Sequence, residues 1–319
     1  SNALRVITPP VKVQYAFAPV LGKRSNSIKA MAAAGAGPAA PNNCVLCVLE
    51  PAGVDALLLT GTGGIEVDGG GIVVNSESGS ALHLTGSGDI SADQIRVLGG
   101  AFPPALLGQL LPPAELGGPP AVDPLGDLRT PNQVDPSLTV VDTAEVITGN
   151  TTLQPGVYRS IDVRSGGVLT LEQGIYVVTS FTGFTVRTGG HVVGDGATIF
   201  LACGGYPTPC GGGGARFRLE TGGTFDVAPP TTGEYAGLSI FADKGNTRTV
   251  RLLGKVTLEG AVYAASGRLI VNSPDPDQPV QINALVAVDR LLKDGAGQLE
   301  VNYNPASPLI GIGRPVLIR

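Results

Sequence analysis

A short apolar phrase returns through the middle of this chain and limits what it can fold into. Between residues 150 and 290 it reads PGVY (Pro155 to Tyr158), QGIY (Gln173 to Tyr176), ATIF (Ala197 to Phe200), LSIF (Leu238 to Phe241), GAVY (Gly260 to Tyr263) and NALV (Asn283 to Val286). A second phrase keeps step with it as DVRSGG (Asp162 to Gly167), TVRTGG (Thr185 to Gly190) and RLETGG (Arg218 to Gly223). Val163 and Val186 are 23 residues apart, as are Tyr263 and Val286, which is the length of one coil of a parallel β-helix rather than of a helical repeat. One such unit cannot bury its apolar face alone, so the chain must stack unit on unit.

Composition agrees. With 47 Gly, 26 Pro and no Trp among 319 residues, the chain suits many short strands joined by tight turns, because Gly reaches positive φ without steric cost. The length exceeds one ordinary globular core, but a solenoid grows by adding coils. The expected fold is all-β: a right-handed parallel β-helix, a single-stranded solenoid of about eight or nine coils, with an N-terminal arm and a Pro-rich excursion. Val, Ile, Leu and some Phe or Tyr would stack inward, and polar residues would face out.

The chain divides as follows. Residues 1–3 (SNA) read as a tag-cleavage scar, and the natural protein is expected to continue upstream. Residues 4–43 hold a strand in VKVQYAFAP (Val11 to Pro19) and an Ala/Gly/Pro-rich stretch (Ala30 to Pro41) expected to be a loose arm. A first block of coils spans 44–100, where ALLLTGTG (Ala56 to Gly63) returns as ALHLTGSG (Ala81 to Gly88) and GIVV (Gly71 to Val74) as QIRV (Gln94 to Val97). Residues 101–137 carry nine prolines and little alternation, and read as an irregular excursion or lid, since Pro cannot donate to a strand ladder. A second block spans 138–303 and a tail 304–319. The arm and the excursion are expected to cover the open end coils. The sequence holds no run of 18 or more apolar residues.

The cysteines carry the best-defined chemistry. Cys203 and Cys210 bracket GGYPTP, and the coil that contains them is long, with 33 residues from Val186 to Leu219. That excess fits a loop closed at its base by a disulfide. Tyr206, Pro207 and Thr208 in this loop are candidate partner contacts, because a restrained loop loses less entropy on binding. Cys44 and Cys47 leave several readings open: a zinc half-site, a redox pair, a small disulfide, or one packed Cys with its neighbour free or paired locally. A tetrathiolate zinc site is disfavoured by the wide second spacing and the lack of a nearby His, and a thioredoxin-like role lacks its βαβ context.

Other chemistry is sparse. The net charge is −5, and Lys and Arg read as scattered, which argues against nucleic acid as a partner. Polysaccharide lyases and hydrolases on this fold need converging carboxylates, Arg and Lys, or a calcium ion. Here Asp275 and Asp277 in NSPDPDQP read as a solvated turn, and Asp162 and Asp195 fall in different phases. Arg164, Arg187 and Glu220 share a phase and read as a solvated stripe. His83 alternates with Leu82 and Leu84 and is expected exposed, while His191 follows Gly190 at a turn. The strings GDGATIF and CGGGGARF lack the GK[ST] ending of a phosphate loop. No catalytic, cofactor-binding or metal-ligating residue is assigned, and no cofactor is expected.

The order VQYAFAPVLG, an Ala-rich link, CVLCVLEP, GGGIVVNSESGSALHLTGSGDISADQIRV and DPLGDLRTP (Asp123 to Pro131) resembles the extracytoplasmic part of Tad (Flp) pilus-assembly proteins of the TadE/TadG-like kind. PGVYRSIDVRSGGVLTLEQGIYVV and EYAGLSIFADK look like coil phrases of the same proteins. The resemblance implies a non-enzymatic structural or adhesion domain of the cell envelope, or a secreted one, anchored by an upstream transmembrane helix. Its partners would be other pilus-assembly or envelope proteins, or surface glycans. In one departure, relatives often carry a Cys where this chain has Gly71, which puts the partner of Cys44 in doubt. TLQPGVYRSIDVRSGGVLTLEQG is also similar to β-helical ice-binding proteins, which need a regular Thr array; Thr170, Thr188, Thr221 and Thr224 recur without holding one phase. Bactofilin-like polymerising β-helices are cytoplasmic, and a Cys203–Cys210 disulfide argues against them. The alternatives to the structural reading are therefore a β-helical carbohydrate-active enzyme or carbohydrate-binding module, and an ice-binding protein.

Overall fold

The computed structural model describes residues 44–304, with the backbone strands Ala3–Ile7, Val11–Gln14, Ser25–Ile28, Met31–Gly35 and Val316–Ile318. The chain forms two compact units, residues 1–41 with 311–319, and residues 42–310. In the smaller unit, Met31–Gly35 pairs antiparallel with both Ala3–Ile7 and Val316–Ile318, and Val11–Gln14 pairs with Ser25–Ile28. The strand expected between Val11 and Pro19 is thus present over Val11–Gln14. The Ala-rich stretch, expected as a loose arm, is a strand over Met31–Gly35, because pairing along both edges satisfies its backbone where its small side chains drive little burial. The rest of that stretch, and the tail between Asn304 and Val316, lie outside the described residues.

The larger unit is all-β, and its strands pair in parallel along three lanes. The first lane runs through Ala144–Ile147, Ser160–Val163, Phe184–Val186, Phe217–Leu219 and Val250–Leu253. The second runs through Asn150–Leu153, Val168–Leu171, His191–Asp195 and Thr224–Ala228. The third runs through Gly156–Tyr158, Gly174–Val178, Ala197–Leu201 and Leu238–Ala242. Two long strands, Ala261–Ser273 and Val286–Gly295, serve the third lane with their first halves and the first lane with their second halves. Val163 pairs with Val186 as the period requires, whereas Tyr263 pairs with Ala287 and Val262 with Val286, one residue away from the phrase-to-phrase alignment.

The two blocks join in an order that the sequence does not announce. Val286–Gly295 takes Cys44–Val48 and Leu57–Leu59 on its free edge, and Leu299–Asn302 takes Ile65–Asp68. The N-terminal block therefore stacks beyond the C-terminal end of the second block. It also extends past residue 100, since Ala101–Phe102, Leu110–Leu111 and Glu115–Leu116 add one more strand to each lane. Pro103 and Pro112 follow the first two of these at once, so this edge runs out of amide donors. The first and third lanes are then ten strands deep, against the eight or nine expected, while the second consists of a four-stranded and a six-stranded sheet with no strand pairing between Thr224–Ala228 and Val256–Leu258.

Apolar columns run through the ladder. In the first lane, Ile161, Phe184, Phe217, Val250, Leu269, Leu291, Leu57 and Leu82 occupy successive register positions and are fully buried. The Phe184 and Phe217 rings stack at 5.6 Å. Each such side chain contributes about 1.5–3 kcal/mol by leaving water. The Gly-Gly of the second phrase lies at one corner, where Gly166, Gly189 and Gly222 have φ of +78°, +73° and +78°, a backbone that a Cβ would strain. The third lane is buried on both faces. Its outer positions Val177, Phe200, Phe241, Tyr263, Ala287, Cys47 and Val73 are covered as fully as its inner ones. Every copy of the first phrase falls in this lane, which is why it reads as a continuous apolar run rather than an alternation.

Among the described residues, one fully buried inward position carries a charge. Lys293 sits in register between Val271 and Leu59, fully buried, and its Nζ donates to the Asp294 carbonyl at 2.9 Å. Burial pushes its ammonium down to about 8. The unfolded chain keeps that proton up to the ordinary value of 10.5, so protonation favours unfolding below that value, and the full penalty stands below about pH 8. Lys293→Met is expected to raise the stability measured by urea unfolding at neutral pH by about 1–3 kcal/mol. The gap between variant and wild type should close as pH rises from about 8 toward 10.5. A variant less stable than wild type at neutral pH would contradict this account.

Candidate functional site

Residues 101–116 of the Pro-rich excursion cover one end of the ladder as its last coil, and the rest is not a lid. After Leu116 it crosses the outer face of the third lane from the first block to the start of the second, held at intervals by side chains of successive strands and loops. Buried Asn75 grips it in both directions, its Nδ2 donating to the Ala121 carbonyl at 2.9 Å and its Oδ1 accepting from the Ala121 amide at 2.7 Å. The Tyr263 hydroxyl donates to Asp123 at 2.7 Å, and Lys244 Nζ donates to the Gly126 carbonyl. The Tyr235 hydroxyl donates to the Arg129 carbonyl at 2.7 Å, beside an Arg129–Glu234 ion pair of 2.7 Å. Val140 then bridges to Val157 and starts the second block. The excursion is a strap, and its path explains the double burial of the third lane.

The strap ends beside the cysteine loop. Cys203 and Cys210 form a disulfide with Cα atoms 5.5 Å apart, as their spacing predicts. The loop base is tied to the next strand connection, where buried Asp243 accepts from the amides of Cys210 at 3.1 Å and Gly245 at 3.0 Å. Pro207 and Thr208 are exposed, but Tyr206 turns inward against Phe200, with centroids 6.2 Å apart, and burial pushes its hydroxyl up to about 12. Tyr206 and Pro207 border a pocket of about 340 Å³ shared with Asn132, Asp135, Leu138 and Val157. The pocket offers two carboxylates, Asp135 and Asp142, amid mostly apolar walls. Cys44 and Cys47 pair with each other, Cα to Cα 5.5 Å, so the four cysteines are consumed in two disulfides, which place the unit in an oxidising compartment.

Charge collects on the outer face of the first lane. Asp162, Thr185, Arg218 and Arg251 occupy successive outward register positions, and Arg164, Arg187 and Glu220 form the adjacent column. The shared phase of these last three was legible in the sequence. The role of Asp162 was not: it accepts from Arg187 at 2.7 Å and from Arg164 at 3.2 Å, while Glu220 pairs with Arg218 at 3.1 Å and meets Arg187 at 4.0 Å. The hydrogen bond and charge of Asp162 hold the Arg187 guanidinium above its ordinary value. Arg216 behaves oppositely. Burial, and then the charges of Arg218, Arg187, Arg251 and Arg248, pull it below its ordinary value. The arginines that read as scattered along the chain therefore meet. The signal was present in the 33-residue offset from Arg218 to Arg251, which repeats the offset from Val186 to Leu219.

The remaining candidates stay apart. His83 points outward but is only partly exposed, with Nδ1 2.7 Å from Asp55 and its ring edge-on to Phe102 at 5.4 Å. His191 opens a strand and lies 2.8 Å from Asp226. Asp275 and Asp277 stand in a turn, where the Asp275 carboxylate accepts from the Asp277 amide. Asp195 ends a second-lane strand and does not meet Asp162. Thr188 and Thr221 are neighbours at the corner, but Thr170 and Thr224 fall in different columns of the second lane, opposite Val193 and His191. A pairing that sequence inspection missed is Glu66 beside Glu300, the latter accepting from Gln281 at 2.6 Å. Compared with protein-family models, with curated proteins and with solved structures, the chain matches none.

Two substitutions test this arrangement. Cys203→Ser should speed amide exchange across residues 204–209 while the ladder still unfolds in one cooperative transition, since Asp243 and Asn246 hold the loop base independently; loss of that cooperativity would refute the assignment. Asn75→Ala strands the amide and carbonyl of Ala121 and should cost about 1–3 kcal/mol, with protease cutting appearing first within the strap.

Proposed function

We propose that the larger unit is a right-handed parallel β-helix serving as a non-enzymatic structural or adhesion domain of the cell envelope, of the kind found in Tad-type pilus-assembly proteins. The observation that carries this reading is the continuity of the ladder. Its first and third lanes run unbroken, ten strands deep, through both blocks, are strapped along one side and carry two disulfides, which suits a stiff body working outside the cytoplasm. Anchorage by a membrane helix upstream, and envelope proteins or surface glycans as partners, belong to the same proposal.

The sparse chemistry favours it over catalysis. The carboxylates of the charged face are bound to arginines, and both histidines are paired with aspartates rather than with a nucleophile. Deleting the gene in its host should remove or shorten surface pili, and the protein should fractionate with the envelope. Unchanged piliation with the protein in the cytoplasm would defeat the proposal.

A further inference from the structure

The outer face of the first lane carries six arginines, Arg164, Arg187, Arg216, Arg218, Arg248 and Arg251, in a protein whose net charge is −5. Among the described residues, the carboxylates that pair with these arginines are Asp162 and Glu220 alone, and they engage Arg164, Arg187 and Arg218. Arg216, Arg248 and Arg251 have no salt-bridge partner among the described residues; Arg251 lies on a strand, Arg216 immediately before one, and Arg248 in the connection leading to Val250–Leu253, and the charges of Arg248 and Arg251 act on Arg216. Arg216 Nε donates to the Thr182 carbonyl at 3.4 Å, but no carboxylate neutralises these three guanidinium groups, which repel one another, with Arg251 fixed in the ladder beside Arg218. Such a cost is met where an anion completes the site.

Three features describe that anion. Arg187, Arg218 and Arg251 lie on or directly after strands of three adjoining rungs at the strand spacing of about 4.8 Å, with Arg216 and Arg248 in the connections that enter the last two, so the charged strip follows the stack and suits a long ligand with repeated charges rather than a single ion. They are arginines, whose planar fork grips carboxylates in pairs of parallel hydrogen bonds. At the edge of the strip Phe181 is 61% exposed, and Arg216 lies 5.7 Å from its ring centroid, so a flat apolar platform stands beside the charge. A sugar ring offers an apolar face to such a platform while its carboxylate meets the fork. Two disulfides place the unit where polysaccharides, rather than nucleic acids, are the usual polyanions.

We infer that this face binds an acidic, carboxylate-bearing polysaccharide lying along the first lane, with Arg216, Arg248 and Arg251 as the principal contacts and Phe181 as the stacking platform. The inference borrows only the extracytoplasmic setting from the proposed function, and a binding measurement on purified protein is read independently of piliation.

The full chain is immobilised and titrated with polygalacturonate, with neutral dextran, with duplex DNA, and with vesicles of equal phosphatidylcholine and phosphatidylglycerol. Polygalacturonate should bind, more weakly as salt is raised, and dextran should not. Arg248→Gln with Arg251→Gln should weaken binding by at least about tenfold at an unchanged melting temperature. Arg248 is exposed, so Arg248→Glu alone serves the same purpose if the double variant fails to fold. No binding of polygalacturonate, or binding indifferent to these substitutions, overturns the inference. Tighter binding of DNA or of the anionic vesicles, lost in the same variants, overturns the assignment to a polysaccharide.

Discussion

The structure depends on one seam, the parallel pairing of Val286–Gly295 with Cys44–Val48 and Leu57–Leu59. Strand pairing leaves raw edges at both ends of any ladder, and this seam removes two of them by setting the N-terminal block on the C-terminal one. The ion pair of Glu50 with Arg290, 2.8 Å across the seam, and the continuous columns from Leu291 to Leu57 hold it. It also fixes the route of the remaining chain. A chain that leaves the first block at Leu116 stands at one end of the ladder and must begin the second block at the other. Ten rungs at about 4.8 Å span roughly 45 Å. Residues 117–140 reach up to about 80 Å when extended, so the excursion can run the length of the lanes with slack for the short helix Pro131–Val134.

The strap in turn decides what the third lane contains. A lane covered on both sides has no solvated face, and its outer positions can hold Phe200, Phe241 and Tyr263 beside Ala287 and Val73. Tyr263 and Tyr235 turn their hydroxyls to the strap, which lets large aromatic rings be buried without orphaned polar atoms. Few aromatics are present in the chain, and several of them stand where strap, cysteine loop and third lane meet. The first lane has no such cover. Between Asp162 and Arg251 charge collects on its outer face.

Rigidity gives the charged face its meaning. On a mobile loop, like charges such as Arg218 and Arg251 would swing apart. On adjoining strands of one sheet their separation is held near the strand spacing, and the repulsion persists until something neutralises it. Where Asp162 and Glu220 are present the stripe closes on itself as a chain of ion pairs. Further along the lane that compensation runs out, and the inferred ligand takes over the role of the missing carboxylates.

The sequence by itself determined that short parallel strands must stack. The recurring phrases, the Gly-Gly corners and the 23-residue offset leave an isolated unit with an apolar face that only another unit can cover. Spacing alone also marked Cys203 and Cys210 as partners, because a loop of that length on a longer coil needs closing. Three things were decided only in the folded chain. The order of the blocks depends on which raw edges meet, and no local signal in Cys44–Val48 names Val286–Gly295 as its neighbour. The path of the strap follows from that order, so a Pro-rich run read as a lid becomes a brace, and Tyr206, read as a projecting contact, turns in to meet it. The arginine face depends on register across rungs of unequal length, where a shift of one residue would send each guanidinium to the opposite side of its strand.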